Sequence, residues 1–131
     1  MGLTVVPNRN AVMLAIGFRI AASENAACVA IGVHGGDHFI YPDCCPEFIE
    51  QFAQMEQAAL GEYAHVELCT PFLHLNKMEI VKRGAEIGVP FIETWSCYKG
   101  ENYHCGVCGT CVERREAFTL AHVADPTSYQ E

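Results

Sequence analysis

Four cysteines, Cys97, Cys105, Cys108 and Cys111, stand in a C-x7-C-x2-C-x2-C pattern. Two overlapping C-x2-C steps bring three sulfurs within a turn or two of chain. Cys97 closes the set across a loop holding Lys99, Gly100 and Gly106. Four thiolates satisfy a tetrahedral Zn2+ at about 2.3 Å each. An iron–sulfur cluster accepts the same ligands and uncommitted thiols are a further reading, with structural zinc as the expectation. A closed four-cysteine shell has no open coordination position, and its expected role is structural rather than catalytic. Four thiolates on one divalent ion leave excess negative charge. Backbone N–H groups and the cations Lys99, Arg114 and Arg115 are expected to offset it. Gly106 and Gly109 are expected to let the chain turn its N–H groups toward the sulfurs, and His104 reads as a surface residue beside the loop.

The other half of the cysteine complement is treated differently. The chain has eight cysteines in 131 residues. The expectation is a cytoplasmic chain without a secretory signal, because Met1-Gly2-Leu3-Thr4-Val5 lacks a basic region followed by a long apolar run. Eight cysteines in a reducing compartment point to metal ligands or thiols, not a disulfide framework. Cys28 and Cys69 read as small core residues in strands, and a second metal site at Cys44-Cys45 lacks further ligands nearby. Sixteen acidic residues against eight Lys and Arg give a net charge of −8. That charge repels a polyphosphate backbone and argues against nucleic-acid binding. Arg19, Glu24 and Asn25 interrupt the apolar stretch from Ala11 to Val33, so no membrane span is expected.

The expected order of elements is helix, strand, helix, strand, helix, metal loop, helix. Ala11 to Asn25 is apolar nearly all round and reads as a buried helix. Cys28 to Val33 reads as a strand buried on both faces, and Gly35-Gly36-Asp37 as a turn. Asp43 is a candidate N-cap for a helix bearing Phe48, Phe52, Met55 and Ala59, which Gly61 stops. His65 to Cys69 is a second strand. Asn76-Lys77-Met78-Glu79 reads as a capping box opening a helix that ends at Gly88. Val112 to His122 reads as the last helix, ended by Asp125-Pro126. Such alternation argues an α/β fold with parallel strands, organised as a single domain over 1–131 with the metal loop and final helix at 97–122. Two or three strands make a narrow sheet, so a partner or a further segment is expected to cover its edge.

Several segments then match one family in order: Val6-Pro7-Asn8-Arg9-Asn10; Gly32 through Asp37 to Tyr41-Pro42-Asp43-Cys44; Thr70-Pro71-Phe72 with Lys77; Thr94-Trp95-Ser96-Cys97-Tyr98; and Cys105-Gly106-x-Cys108-x-x-Cys111-x-x-Arg114. The chain resembles the 7-cyano-7-deazaguanine synthases of queuosine biosynthesis, members of the N-type ATP pyrophosphatases. The resemblance implies the C-terminal part of an adenine-nucleotide alpha-hydrolase-like (Rossmann-like) parallel sheet with helices. It also implies a ligase that turns 7-carboxy-7-deazaguanine and ammonia, with ATP and Mg2+, into 7-cyano-7-deazaguanine. A carboxylate is a poor electrophile. ATP first makes it an acyl-adenylate, ammonia gives an amide, and a second activation permits dehydration to the nitrile. On this resemblance Arg9 and Asn10 bind nucleotide, and Lys77 lies near the phosphates as the catalytic cation. Asp37, Tyr41, Asp43 and Tyr98 bind the base, and the four cysteines hold zinc. Bland readings stand beside these: a surface turn for Arg9, a solvated lysine for Lys77, a cap for Asp43, a turn residue for Asp37 and a core aromatic for Tyr41.

The chain departs from the family in three places. Asn8 stands where glycine is frequent, and asparagine tolerates the left-handed backbone such a turn requires. Cys45 replaces a usual arginine. The family's Ser-Gly-Gly-x-Asp-Ser phosphate loop has no counterpart, since His34-Gly35-Gly36-Asp37 lacks both serines. The chain is therefore expected to be a truncated form, active only with a missing N-terminal phosphate-loop half, and to occur as a homodimer or in complex with such a half. The alternative is a non-catalytic, zinc-stabilised module that binds deazaguanine or another protein.

Overall fold

The computed structural model describes residues 6–36, 40–100 and 102–130. The chain forms two compact units, residues 1–74 and 75–131. In the first, helix α1 (Arg9–Ser23) leads to strand β1 (Cys28–Ala30), a 3-10 turn at Pro42–Cys44, helix α2 (Pro46–Leu60) and strand β2 (Glu67–Cys69). In the second, helix α3 (Lys77–Glu86), a 3-10 turn at Phe91–Glu93 and helix α4 (Gly109–Ala121) flank the cysteine loop. β1 and β2 pair in parallel, with Cys28 opposite Glu67 and Ala30 opposite Cys69. The expected α/β class and parallel pairing are therefore present.

Burial departs from expectation. Val29 lies against Gly17 of α1, where a β-carbon would stand 3.2 Å from Val29 Cγ1. The alternate residues Cys28, Ala30 and Glu67 are exposed. A strand turns successive side chains to opposite faces, so helices on one side bury only half of it. The expected burial of β1 on both faces and the core placement of Cys28 are thus corrected. So is the fully buried α1. Leu14, Phe18, Ala21 and Ala22 enter the core with Phe52 and Val66, while Val12, Met13, Ile16 and Ile20 are exposed. Aromatic edges tie the helices, with the Phe18 and Phe52 rings 6.1 Å apart.

Asn8 adopts the left-handed conformation, φ 62°, as its tolerance of that region allows. Its side chain makes no cap, and α1 carries no acidic residue in its first turn. The missing partner comes from far along the chain: Asp43 Oδ2 accepts the Asn10 N–H at 3.0 Å. Asp43 is therefore a cap for α1 and not for α2. The N-cap of α2 is Cys45, without a side-chain hydrogen bond, and Pro46 follows at the first helical position, where its missing N–H costs nothing.

In the second unit the predicted capping box is present. Asn76 Oδ1 accepts the Glu79 N–H at 3.0 Å, and Glu79 Oε2 accepts the Asn76 N–H at 2.8 Å. The last helix ends at Ala121, before the Asp125-Pro126 pair, with His122 left-handed at φ 55°. Val81, Ala117 and Phe118 form its core, and Phe91 meets Phe118 edge-on at 4.9 Å. Arg114 lies across this core. Its guanidinium donates to Thr127 Oγ1 (2.8 Å), Thr94 Oγ1 (2.9 Å) and Phe91 O (3.1 Å), and pairs with Asp125 at 3.6 Å.

Two expectations follow. Arg114→Lys keeps the charge but cannot fork to several acceptors, so it should lower stability by about 2 kcal/mol in urea melts. Equal stability would remove Arg114 from this role. Glu56 occupies the buried face of α2, 8% exposed, and burial raises its carboxyl pKa above the usual 4.5. Its stabilising contribution is then greatest below the unfolded pKa and falls as pH rises through the folded one. Glu56→Gln should melt higher than the parent at neutral pH, and the difference should shrink on acidification. A pH-independent difference would contradict this account.

Candidate metal centre

The cysteine loop is too short and polar to build a core of its own, and its own backbone organises it. Lys99, Gly100 and Cys105 N–H groups point at Cys97 Sγ at 3.3, 2.9 and 3.3 Å. The Cys108 N–H points at Cys105 Sγ at 3.3 Å. Gly100 is required by close approach, since a β-carbon there would lie 1.9 Å from the Tyr103 carbonyl oxygen. Gly106 is left-handed at φ +72°, as expected of it, whereas a side chain at Gly109 would meet open space. Gly109 is thus not needed for the turn. It starts α4, with Cys108 as N-cap and Cys111 in the first turn. The helix start, with its N–H groups and the positive end of the helix dipole, favours anionic sulfur at Cys108.

All four sulfurs lie within 4.8 Å of one another, the one such group of three or more metal-binding side chains among the described residues. Cys108 Sγ is 3.9 Å from Cys97 Sγ and 3.4 Å from Cys111 Sγ. A tetrahedral zinc with bonds of about 2.3 Å separates its sulfurs by about 3.8 Å. The donor set therefore fits a four-coordinate thiophilic ion with little movement. Its electrostatics point the same way. Thr110 and backbone N–H groups bring the Cys108 thiol down to about 5. Burial drives Cys111, 0% exposed, up to about 12. At Cys97 burial pushes upward, but the N–H groups of Cys105, Lys99 and Gly100 outweigh it and lower the pKa. Four adjacent sulfurs cannot all ionise by themselves, and a divalent cation is what would allow it.

Two neighbours differ from expectation. Arg114 spends its guanidinium on the hydrogen bonds described above, and Arg115 lies over the Tyr129 ring at 3.9 Å. Backbone N–H groups, rather than those two cations, face the thiolates. His104 is buried, not a surface residue. Its Nε2 accepts the Ser96 N–H at 3.1 Å. Burial, and then Arg114, lower its pKa. Cysteine spacing carried no signal for this histidine, whose partner lies eight residues upstream.

The remaining expected site residues divide between the units. In the first, Asn10 is buried and its amide donates to Asp43 O at 3.0 Å and Cys44 Sγ at 3.2 Å. Arg9 is exposed beside it, and Tyr41 is half-buried against Val33, Cys44 and Ile49. Asp37 lies outside the described residues. In the second unit, Lys77 opens α3 and its Nζ contacts the Glu113 carboxylate of α4. Tyr98 is 68% exposed on the metal loop.

The family model described as "Queuosine biosynthesis protein QueC" matches residues 1–122. The chain belongs to this family. Proteins named 7-cyano-7-deazaguanine synthase align with all 131 of its residues, at 63% identity in Ruegeria sp. (strain TM1040), 60% in Brucella anthropi and 61% in Brucella ovis. In each case the match covers 56% of the relative, so this QueC-family chain spans about half the length of the curated relatives it matches. No helix among the described residues is long and apolar enough to cross a membrane.

Cys105→Ala and Cys108→Ala should each lose the bound metal and melt several degrees lower, because metal-binding free energy is also folding free energy. Metal content by plasma emission, read beside thermal melts, checks this. Unchanged values in both variants would dismiss the site.

Proposed function

We propose that this chain supplies the metal-carrying part of a 7-cyano-7-deazaguanine synthase, a ligase acting on 7-carboxy-7-deazaguanine, ammonia and ATP with Mg2+. The observation that carries the reading is the four-sulfur cluster in a chain 60–63% identical, over its whole length, to proteins of that name. On this reading the fold is the C-terminal part of an adenine-nucleotide alpha-hydrolase-like sheet, both units belong to one synthase domain over 1–131, and the enzyme is cytoplasmic. The ion is zinc, held by Cys97, Cys105, Cys108 and Cys111. Closed by four ligands, it stiffens the loop that carries Tyr98 and takes no part in bond making.

The chemistry needs charge control and positioning more than a protein nucleophile. Each activation step places negative phosphate beside a carboxyl or amide oxygen, and a fixed cation lowers that cost. Arg9 and Lys77 are assigned this work. Lys77 already contacts Glu113, so an incoming phosphate would replace that carboxylate as its partner. Asn10 and Asp43 are held by each other, which fixes the turn that presents Arg9. Their contribution to nucleotide and base binding is therefore largely positional. Asp37, Tyr41 and Tyr98 contact the deazaguanine, the carboxylate through its N–H edge and the rings by stacking. The sheet edges left open among the described residues and the exposed face of α1 suit a phosphate-loop half or a second protomer.

The test is conversion of 7-carboxy-7-deazaguanine to the nitrile, followed by mass spectrometry. The chain is assayed alone and with the phosphate-loop half of a relative added in trans. Product is expected only in the mixture, and Arg9→Ala or Lys77→Ala should cut turnover at least tenfold with zinc retained. No product under either condition would refute the enzyme reading. The 56% coverage favours a second reading, a module that binds the base without catalysis. Base binding by calorimetry, unaffected by ATP and without turnover in the mixture, would support it.

A further inference from the structure

His104 and Ser96 immediately precede two metal-site cysteines, Cys105 and Cys97, which the sequence separates by seven residues. A single hydrogen bond joins them, the Ser96 N–H donating to His104 Nε2 at 3.1 Å. We propose that His104 is a positioning residue for the metal loop, stapling the Cys97 arm to the Cys105 arm so that the four sulfurs are gathered before the ion arrives. The inference rests on the four-cysteine site holding a metal.

The surroundings make the staple rigid. The imidazole is 5% exposed, with the Trp95 ring 4.2 Å away and the Tyr129 ring 5.8 Å away. Trp95 is itself fixed, because its Nε1–H donates to Cys97 O at 2.8 Å. The backbone of His104 is anchored on both sides: its N–H donates to Ser128 O at 3.2 Å, and its carbonyl accepts the Gln130 N–H at 2.8 Å. Ring and main chain together leave Nε2 aimed at one donor. Because Nε2 accepts, the ring proton belongs on Nδ1, and Nε2 is not offered to a metal. His104 accordingly stands outside the group formed by the four sulfurs.

The physical consequence is preorganisation. An ion that must also close the loop between Cys97 and Cys105 loses binding free energy to chain entropy, and a loop already closed spares that loss. Partners just outside a metal's ligands commonly change affinity by about 10–100-fold. The alternative is that His104 merely fills space. The two accounts differ in what they require of the side chain: an acceptor atom in one, a ring in the other.

Two substitutions separate them. His104→Phe keeps a stacking ring and loses the acceptor, whereas His104→Gln keeps an acceptor and loses the ring. Zn2+ affinity is measured on the full chain by competition with a chromophoric chelator. Co2+ replacement reports tetrahedral sulfur coordination from its visible spectrum. Fluorescence of Trp95, the sole tryptophan, follows the stapled arm. The Phe variant should bind Zn2+ about 10–100-fold more weakly, with an altered Co2+ spectrum, while the Gln variant stays within about threefold of the parent. Parent-like affinity in the Phe variant, or equal losses in both, would overturn the proposal. Should the Phe variant not fold, a loss of tenfold or more in the Gln variant would do the same. A parent protein that binds neither ion would refute the metal site itself, and the staple with it.

Discussion

Four neighbouring sulfurs, which cannot all ionise without a cation among them, are the constraint around which the second unit is built. Thiolates within 4.8 Å of one another repel unless something positive stands among or around them. The chain answers mainly with its backbone. Three N–H groups face Cys97, the Cys108 N–H faces Cys105, and the first turn of α4 holds Cys111. These donors lie in a loop without regular structure of its own, so side chains outside the cluster must fix its path. Arg114 does this from α4, tying Thr94 and Thr127 together. His104 does it from within the loop.

The first unit depends on a different device. The Pro7-Asn8-Arg9-Asn10 turn and the Pro42-Asp43-Cys44 turn hold each other through three hydrogen bonds, and one of them caps α1. Two segments that the family resemblance assigns to nucleotide and base are thereby made one object. This changes how their residues are understood. Asn10 and Asp43 are internal braces, while the exposed Arg9 is free of that duty. The surface therefore presents a braced backbone beside an exposed cation.

Several features were legible because they are short-range. The Asn76–Glu79 capping box needs only its own four residues, and it formed where the sequence placed it. Asn8 was readable as left-handed because its side-chain chemistry permits that region. The parallel pairing of β1 and β2 followed from alternation of elements and from two short apolar runs. Burial was less legible. Apolar residues all round α1 and along β1 suggested enclosure, yet enclosure requires neighbours on every side. The described residues supply them on one side only.

Sequence by itself determined the four-cysteine group, since covalent spacing brings Cys105, Cys108 and Cys111 near one another and allows Cys97 to reach them. It also determined the helix starts that are capped locally. Only the tertiary structure decided the partners of Asp43, His104 and Arg114. Each of those side chains offers several donors or acceptors, and local sequence leaves their direction open. Which partner wins depends on a residue 33 positions away for Asp43, and 20 away for the Arg114–Thr94 bond. Such contacts form only after the chain has already paid the entropy of closing those loops.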